Sequence, residues 1–594
     1  MGIKKQRIVT RMKNILFILI SVSAHVLSAQ EKANYDLRWG VKVPLRDGVQ
    51  LNATLYLPDD QAAPLPVIVD LTPYISDGYH SRGKYFSQQG YVYALVDCRG
   101  RGSSEGKFDP LNQEAKDGYD VVEWMAKQSF CNGKVTMWGG SYSGYNQWAT
   151  AKEFPPHLST IVPAASVHPG VDYPNPGNIF MSYVISWLTF TSGQTGNANI
   201  FGESAFWQAK YSERYEKHLP FSQLDKIVGN ETTVFQTWLK HPAYDAYWQN
   251  MSPQKAHFEK MNMPILTITG HYDADQLGAM TYYKNFMKYA SAEAKAKKYL
   301  IIGPWDHSGT RTPHVDVGGL VFGNASLLDM NQLHKAWYDY AMKGKALPEF
   351  LKKRVAYYVT GAEKWKYADD LESIATEKRT LYLRSSGTAT VFQSGSLTEQ
   401  LPLNEKPDVI KYDPLNTARG ITARRLEEED DSYLVNQIDL VNAGTEAVVY
   451  HSDVFADSTE ITGMPEARLF VSSNAPDADI RATLYEVTAN GQSILLSSQQ
   501  LRLRYRDSLE KETLMLPGLV YPIALNNFTF ISRRIAPGSR LRLGITAINS
   551  INWQKNYGSG GDVANETAKD ARPVVLNIHH DRKYPSALVI PVVR

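Results

Sequence analysis

At 594 residues the chain is too long for one hydrophobic core, so two or three domains are expected. With 43% hydrophobic and 21% charged residues and a net charge of +2, it has the balance of a globular enzyme and no electrostatic footprint for nucleic acid or an anionic membrane. Two cysteines, Cys98 and Cys131, exclude a disulfide scaffold, are too few for a zinc site and leave at most one bridge between them.

The chain begins with a basic lead of Lys4, Lys5, Arg7 and Arg11. The apolar run at 15–22 is too short to span a bilayer, and it ends in small residues with cuts expected after Ala24 or Ala29. This predicts a secretory signal peptide over 1–29, the rival reading being an N-terminal anchor helix. The mature protein is then expected to be exported to the periplasm or the medium, free of the membrane.

Residues 30–170 read as the first part of an α/β core. "VQLNATLYLP" follows the turn Asp47-Gly48 and forms the second arm of a hairpin. "PVIVDL" (66–71), "YVYALVD" (91–97), "KVTMW" (134–138) and "TIVPAA" (160–165) are near-continuous apolar runs, suited to strands buried on both faces. Between the second and third lies a helical pattern with Tyr119, Val122 and Met125/Ala126 on its apolar face. The same texture returns in the second part of the core, 256–348, with "PILTITG" (264–270) and "KYLIIGP" (298–304). Strand–helix alternation of this kind predicts a doubly wound α/β sheet.

Residues 171–255 interrupt it with an aromatic-rich helical insertion, placed where a cap over the site belongs. Its Trp187, Phe190, Phe206, Trp207, Phe235, Trp238, Tyr247 and Trp248 are expected mainly to pack the insertion's own core. From 349 to 594 short strands alternate with period two between turn residues, predicting an all-β sandwich or jelly roll. The acidic run at 427–431 reads as a solvated loop.

The chemistry concentrates in "WGGSYSGYNQW" (138–148). Ser141 follows an apolar strand and precedes a helical segment expected from Tyr145 to Lys152, the context of a nucleophile elbow. Gly139 and Gly140 relieve the tight turn, and the helix start offers the Tyr142 N–H to an oxyanion. A structural Gly-Ser turn is the alternative. A serine needs a base and the base an orienter, in the order Ser, Asp, His along an α/β-hydrolase chain. "GHYDADQ" offers Asp273 and Asp275, and "GPWDHSG" offers His307, each after a strand. His271 and Asp306 are rivals less well placed. The loop "DLTPYISDGYH" offers the Tyr74 hydroxyl as a second oxyanion donor. "DCRGRGSSEG" (97–106) tempts a dinucleotide reading, but Glu105 stands where the third glycine is needed and no helix follows. It reads instead as a loop at the active-site edge, with Arg99 in an ion pair.

Taken together, "GGSYSG", "DLTPY", "VDCRGRGSSEG", "GHYDADQ", "GPWDHSG" and "VSSNAPDADIRATLYEV" resemble the CocE/NonD hydrolases, relatives of the bacterial Xaa-Pro dipeptidyl-peptidases, from about residue 40 to the C-terminus. The resemblance implies an α/β-hydrolase core with a helical cap and a C-terminal jelly roll. It assigns the nucleophile to Ser141, its partners to Asp273 and His307, and the oxyanion hole to Tyr74 and Tyr142. The α-amino-acid ester hydrolases of this family carry a carboxylate cluster for a substrate ammonium. Here two of its positions read Asp275 and Gln276, and Asp172 stands in the region of the third, so strict α-amino selectivity is not implied. Asp172, Asp275 and Trp187 are taken as candidate substrate-binding residues. The expected function is hydrolysis of a small ester or amide, or of a short peptide, through an acyl enzyme, with no cofactor or metal. A dipeptidyl-peptidase and an inactive sugar-binding protein are the alternatives, and no motif speaks to the oligomeric state.

Overall fold

The apolar runs of the N-terminal half pair into one ten-stranded sheet. The structure, a computed structural model, describes residues 34–59, 61–421 and 432–594. The expected signal peptide and the acidic run lie outside the described residues. The strands are β1 (Tyr35–Pro44), β2 (Gln50–Pro58), β3 (Leu65–Thr72), β4 (Val92–Asp97), β5 (Cys131–Gly140), β6 (Leu158–Ala164), β7 (Ile265–Tyr272) and β8 (Lys298–Asp306). A separate two-stranded hairpin, β9 (Asp316–Val317) and β10 (Leu320–Val321), precedes the last two, β11 (Val355–Val359) and β12 (Lys364–Ala368). The order across the sheet is β1-β2-β4-β3-β5-β6-β7-β8-β11-β12.

The pairs from β4 through β3, β5, β6, β7 and β8 to β11 are parallel, while β1, β2 and β12 attach antiparallel. β1 and β2 are the predicted hairpin, closed where Leu45 N–H donates to Val49 O at 2.8 Å. Period two divides the parallel strands between two layers. Val67, Val69 and Leu71 with Val92, Ala94 and Val96 face α2 (Glu114–Ala126) and α3 (Tyr142–Ala151). Ile68, Tyr93 and Leu95 face α1 (His80–Ser87) and a helix at Met330–Lys343. Each Val, Leu or Ile so buried contributes about 1.5–3 kcal/mol.

Two details depart from the sequence reading. The buried face of α2 is Ala115, Gly118, Val121, Val122 and Met125, whereas Tyr119 is half-buried beneath Arg46, 5.0 Å from its ring centre. Gly118 sets this rotation: a Cβ there would lie 1.9 Å from Thr150 Oγ1, so α2 and α3 meet at the glycine. The first sheet also continues past residue 349, because β11 pairs parallel with β8 and β12 closes against β11.

Between β6 and β7 stands the helical insertion: α4 (Tyr183–Phe190), α5 (Ala198–Phe201), α6 (Ser204–Glu216), α7 (Leu224–Val228), α8 (Thr233–Leu239), α9 (Ala246–Gln249) and α10 (Lys255–Phe258). Phe235, Trp238 and Trp248 are fully buried in its core. From Glu377 to Val593 the described strands form a thirteen-stranded all-β unit, antiparallel except where Gly395–Thr398 pairs parallel with Ala447–Ser452. Cys98 and Cys131 are buried, separate thiols.

Candidate active site

Strand order places the site. The chain leaves β3 toward β4 on one side and toward β5 on the other, and a ligand crevice forms beyond the carboxyl ends at such a reversal. Tyr74 follows β3 and Ser141 follows β5. Farther along the same edge, Asp273 follows β7 and His307 follows β8, with Tyr272 and Asp306 in register immediately before them.

Ser141 stands at φ 61° and ψ −125°, a conformation rare outside glycine and one that strand-to-helix nucleophile turns adopt. Its N–H is held by the carbonyls of Ala164 and Ala165, each at 3.0 Å. The surroundings must be small. A Cβ on Gly139 would lie 2.4 Å from the Ser143 Cβ, and one on Gly144 would lie 2.6 Å from Ala164 O. Ser143 donates to Leu71 O at 3.0 Å and is thereby a turn residue. α3 starts at Tyr142, one turn earlier than expected, so the Tyr142 N–H has no carbonyl of the helix to serve. Its phenol accepts from Leu111 N–H at 2.8 Å and donates to Glu114, which locks the ring.

His307 Nδ1 lies 2.8 Å from Asp273 Oδ1. Asp273 also accepts from Thr269 Oγ1 at 2.9 Å and from the Asp275 amide at 3.0 Å. Asp275 Oδ2 is 3.5 Å from the same Nδ1. Burial would lower the His307 pKa, but Asp275 and Asp273 outweigh it and hold it above the usual value. Burial pushes the Asp275 carboxyl up, while His307 and Arg311 oppose that rise. The ligand atoms of Asp273, Asp275 and His307 lie within 4.8 Å of one another, a spacing that would also suit a metal ion. Asp273, however, spends its oxygens on the imidazole, a hydroxyl and an amide, as the orienter of a histidine does.

Ser141, His307, Tyr74 and Trp187 line one cleft of about 300 Å³, with Tyr183, Phe190, Phe201 and Arg311 around them. The Tyr74 hydroxyl accepts from Trp187 Nε1 at 3.2 Å, and its ring stacks on Phe190 at 5.5 Å. Burial raises the Tyr74 pKa, against hydrogen bonds with Trp187 and Ser141 that lower it, so the phenol stays protonated and able to donate. A larger cavity of about 740 Å³, bounded by the cap, the Asp273 turn and the all-β unit, shares Tyr183 and Phe201 with the cleft.

Two family models match the chain: the X-Pro dipeptidyl-peptidase (S15 family) over residues 47–309, and the X-Pro dipeptidyl-peptidase C-terminal non-catalytic domain over residues 350–589. Cocaine esterase of Rhodococcus sp. (strain MB1 Bresler) is 27% identical, across 94% of this chain and 99% of that protein. The chain belongs to the CocE/NonD family of serine hydrolases. Two solved structures share the fold of this CocE/NonD hydrolase from end to end. One is an aminopeptidase from a marine sediment archaeon, Thaumarchaeota archaeon, with TM-score 0.81, 21% identity and coverage of 97% of this chain and 100% of that one. The other is an α-amino acid ester hydrolase, with TM-score 0.80, 20% identity and coverage of 96% and 100%.

In this CocE/NonD hydrolase the structure gathers Ser141, His307, Tyr74 and Trp187 at one cleft, with Asp273 and Asp275 behind the histidine. Asp172 is held by the scaffold. Its two oxygens accept the amides of His168 at 2.8 Å and Gly278 at 2.7 Å, and burial together with Asp275 favours its neutral form. It braces the cap's first turn against the helix at Gln276–Tyr289, and it also lines the larger cavity beside the cleft. The rivals are also spent elsewhere. His271 Nε2 lies 2.8 Å from Tyr358 O and burial lowers its pKa to about 4; Asp306 braces the turn through Gly309 N–H at 2.8 Å. Arg99 forms the expected ion pairs, with Asp117 and Asp47, each at 2.7 Å. Tyr183, Phe201 and Arg311 line the cleft but escaped the sequence reading; only the position of Arg311, one helical turn beyond His307, hinted at it.

Proposed function

We propose that this hydrolase is exported and opens acyl esters or amides through a Ser141–His307–Asp273 triad and an acyl enzyme. His307 Nε2 takes the Ser141 proton as Oγ attacks the acyl carbon. Asp273 keeps Nδ1 protonated and stabilises the imidazolium that forms. The Tyr74 hydroxyl and the Tyr142 N–H receive the developing oxyanion, each donor worth about 3 kcal/mol of the barrier. His307 returns its proton to the leaving alcohol or amine, and water then releases the acyl group by the same route. The observation that carries this reading is the His307–Asp273 contact of 2.8 Å beside a cleft that also holds a serine at φ 61°. The signal-like N-terminus supports export. The test is turnover of a 4-nitrophenyl ester and labelling by a fluorophosphonate. Both should vanish in Ser141→Ala with the melting curve unchanged; parent-like turnover in that variant would overturn the assignment.

The S15 family match favours a second reading, removal of N-terminal dipeptides. That reaction needs a carboxylate open to a peptide ammonium. The engagement of Asp172 with two amides, and of Asp275 with His307, speaks for the ester reading. Xaa-Pro-anilides assayed beside simple esters separate the two.

A further inference from the structure

We propose that Arg101 is a positioning residue of the oxyanion hole, holding the Tyr74 loop and the cap segment that packs against it with one guanidinium. The inference rests on the reading of Tyr74 as an oxyanion donor. Arg101 is fully buried, and among the described residues no carboxylate pairs with it at ion-pair distance. Burying a cation this way is costly and demands hydrogen bonds in return. All of them go to main-chain carbonyls: Nε donates to Pro73 O at 2.7 Å, Nη2 to Thr195 O at 3.2 Å, and Nη1 to Gly193 O.

Pro73 is the residue before Tyr74. Ile75, the residue after it, is β-branched yet stands at φ 69°. Such a conformation costs about 1–3 kcal/mol and persists only where its surroundings over-determine it. The loop is gripped on both sides of the strain, by Arg101 at Pro73 and by Asp97 Oδ1, which accepts from Ser76 N–H at 2.8 Å. Gly100 at φ 70° turns the chain between the two gripping residues, Gly102 at φ 53° turns it just past Arg101, and a Cβ on Gly102 would lie 2.3 Å from Asp97 Oδ2.

The other two carbonyls belong to the chain leaving α4. That helix carries Trp187, which donates to the Tyr74 hydroxyl, and Phe190, which stacks on its ring. Arg101 therefore fixes Tyr74 from behind and the end of its aromatic seat from the side. A planar fork can serve three carbonyls in fixed directions; a lysine cannot. This gives the glycine-rich "RGRG" stretch, which suggested a nucleotide loop, a place in ester chemistry.

The test is a double-mutant cycle on a 4-nitrophenyl ester, with rates expressed per site titrated by a fluorophosphonate, which discounts misfolded protein. Tyr74→Phe should lower kcat about 100-fold. Arg101→Gln should lower kcat by about ten-fold with KM little changed, Arg101→Lys should recover part of that loss, and Arg101→Gln should add almost nothing in the Tyr74→Phe background. Where Arg101→Gln fails to fold, Arg101→Lys carries the same cycle. Equal losses in both backgrounds, a change confined to KM, or parent-like kcat in the Arg101 variants would overturn the inference while leaving the triad standing. A Tyr74→Phe variant as fast as the parent would remove the oxyanion assignment, and this inference with it.

Discussion

Asp275 Oδ2 stands 3.5 Å from His307 Nδ1, on the nitrogen that Asp273 already holds at 2.8 Å. The imidazole thus meets two carboxylates where one suffices to orient it. The second acts on the charge of the ring: against the downward push of burial, it helps hold the His307 pKa above its usual value. As the proposed general base His307 must be neutral, so a raised pKa moves the acid limb of activity to higher pH. Asp275→Asn should therefore shift the rising limb of a kcat/KM–pH profile to lower pH. The plateau should fall less than in Asp273→Asn, which loses the orienting bond as well. An unmoved limb would mean that Asp275 does not act on the ring's charge.

Trp187 tests a hydrogen bond inside the cleft. Its Nε1 donates to the Tyr74 hydroxyl at 3.2 Å while its ring stacks on Tyr142 at 5.5 Å. Trp187→Phe keeps most of the stacking and removes the donor. A neutral hydrogen bond is worth about 1 kcal/mol, so kcat is expected to fall about five-fold. Stopped-flow acylation with a 4-nitrophenyl ester measures this step directly, and an unchanged acylation rate would leave Trp187 as packing alone.

The parts of the site legible in the sequence share one property: each follows a buried apolar strand. Ser141, Asp273 and His307 lie at carboxyl ends of β5, β7 and β8, and parallel strands bring their ends to one edge whatever the intervening chain does. What was illegible depends on partners far away in sequence. Asp172 is a brace because its acceptors meet the amide of Gly278, 106 residues on. The face of α2 is set by a glycine against Thr150, which apolar periodicity does not register. Tyr183 and Phe201 reach the cleft from short helices, and α5 has only four residues, too few to display a period. β11 and β12 follow the last long helix of the core, where the texture of the all-β half begins, yet β11 is fully buried as a continuation of the first sheet.

The glycine that arrives one place late, Gly144, has a packing role open to test. A Cβ there would stand 2.6 Å from Ala164 O and 2.8 Å from Ser166 Oγ, pressing α3 off β6. Overpacking at this junction costs about 1–3 kcal/mol. Because the same shift moves the start of α3, Gly144→Ala should lower both the apparent Tm and kcat, whereas Ser143→Ala, which gives up a bond to Leu71 O, should affect kcat much less. Differential scanning calorimetry and ester turnover on the two variants check this. A Gly144→Ala protein with the parent's Tm would show that α3 can move without cost.

Glu114 links the start of α3 to pH. It accepts from Tyr142 and from the Gln113 N–H at 3.0 Å, and burial raises its pKa from 4.5 to about 8. The folded protein therefore keeps a proton that the unfolded chain releases above 4.5. Stability from this group is full at acid pH and is lost as pH rises through the window up to about 8. Glu114→Gln keeps an acceptor for Tyr142 and removes the ionisation. Its apparent Tm should fall less steeply than the parent's between pH 5 and 8.5, so that the variant gains on the parent toward alkaline pH. Parallel Tm–pH curves would mean that Glu114 ionises alike in folded and unfolded chains.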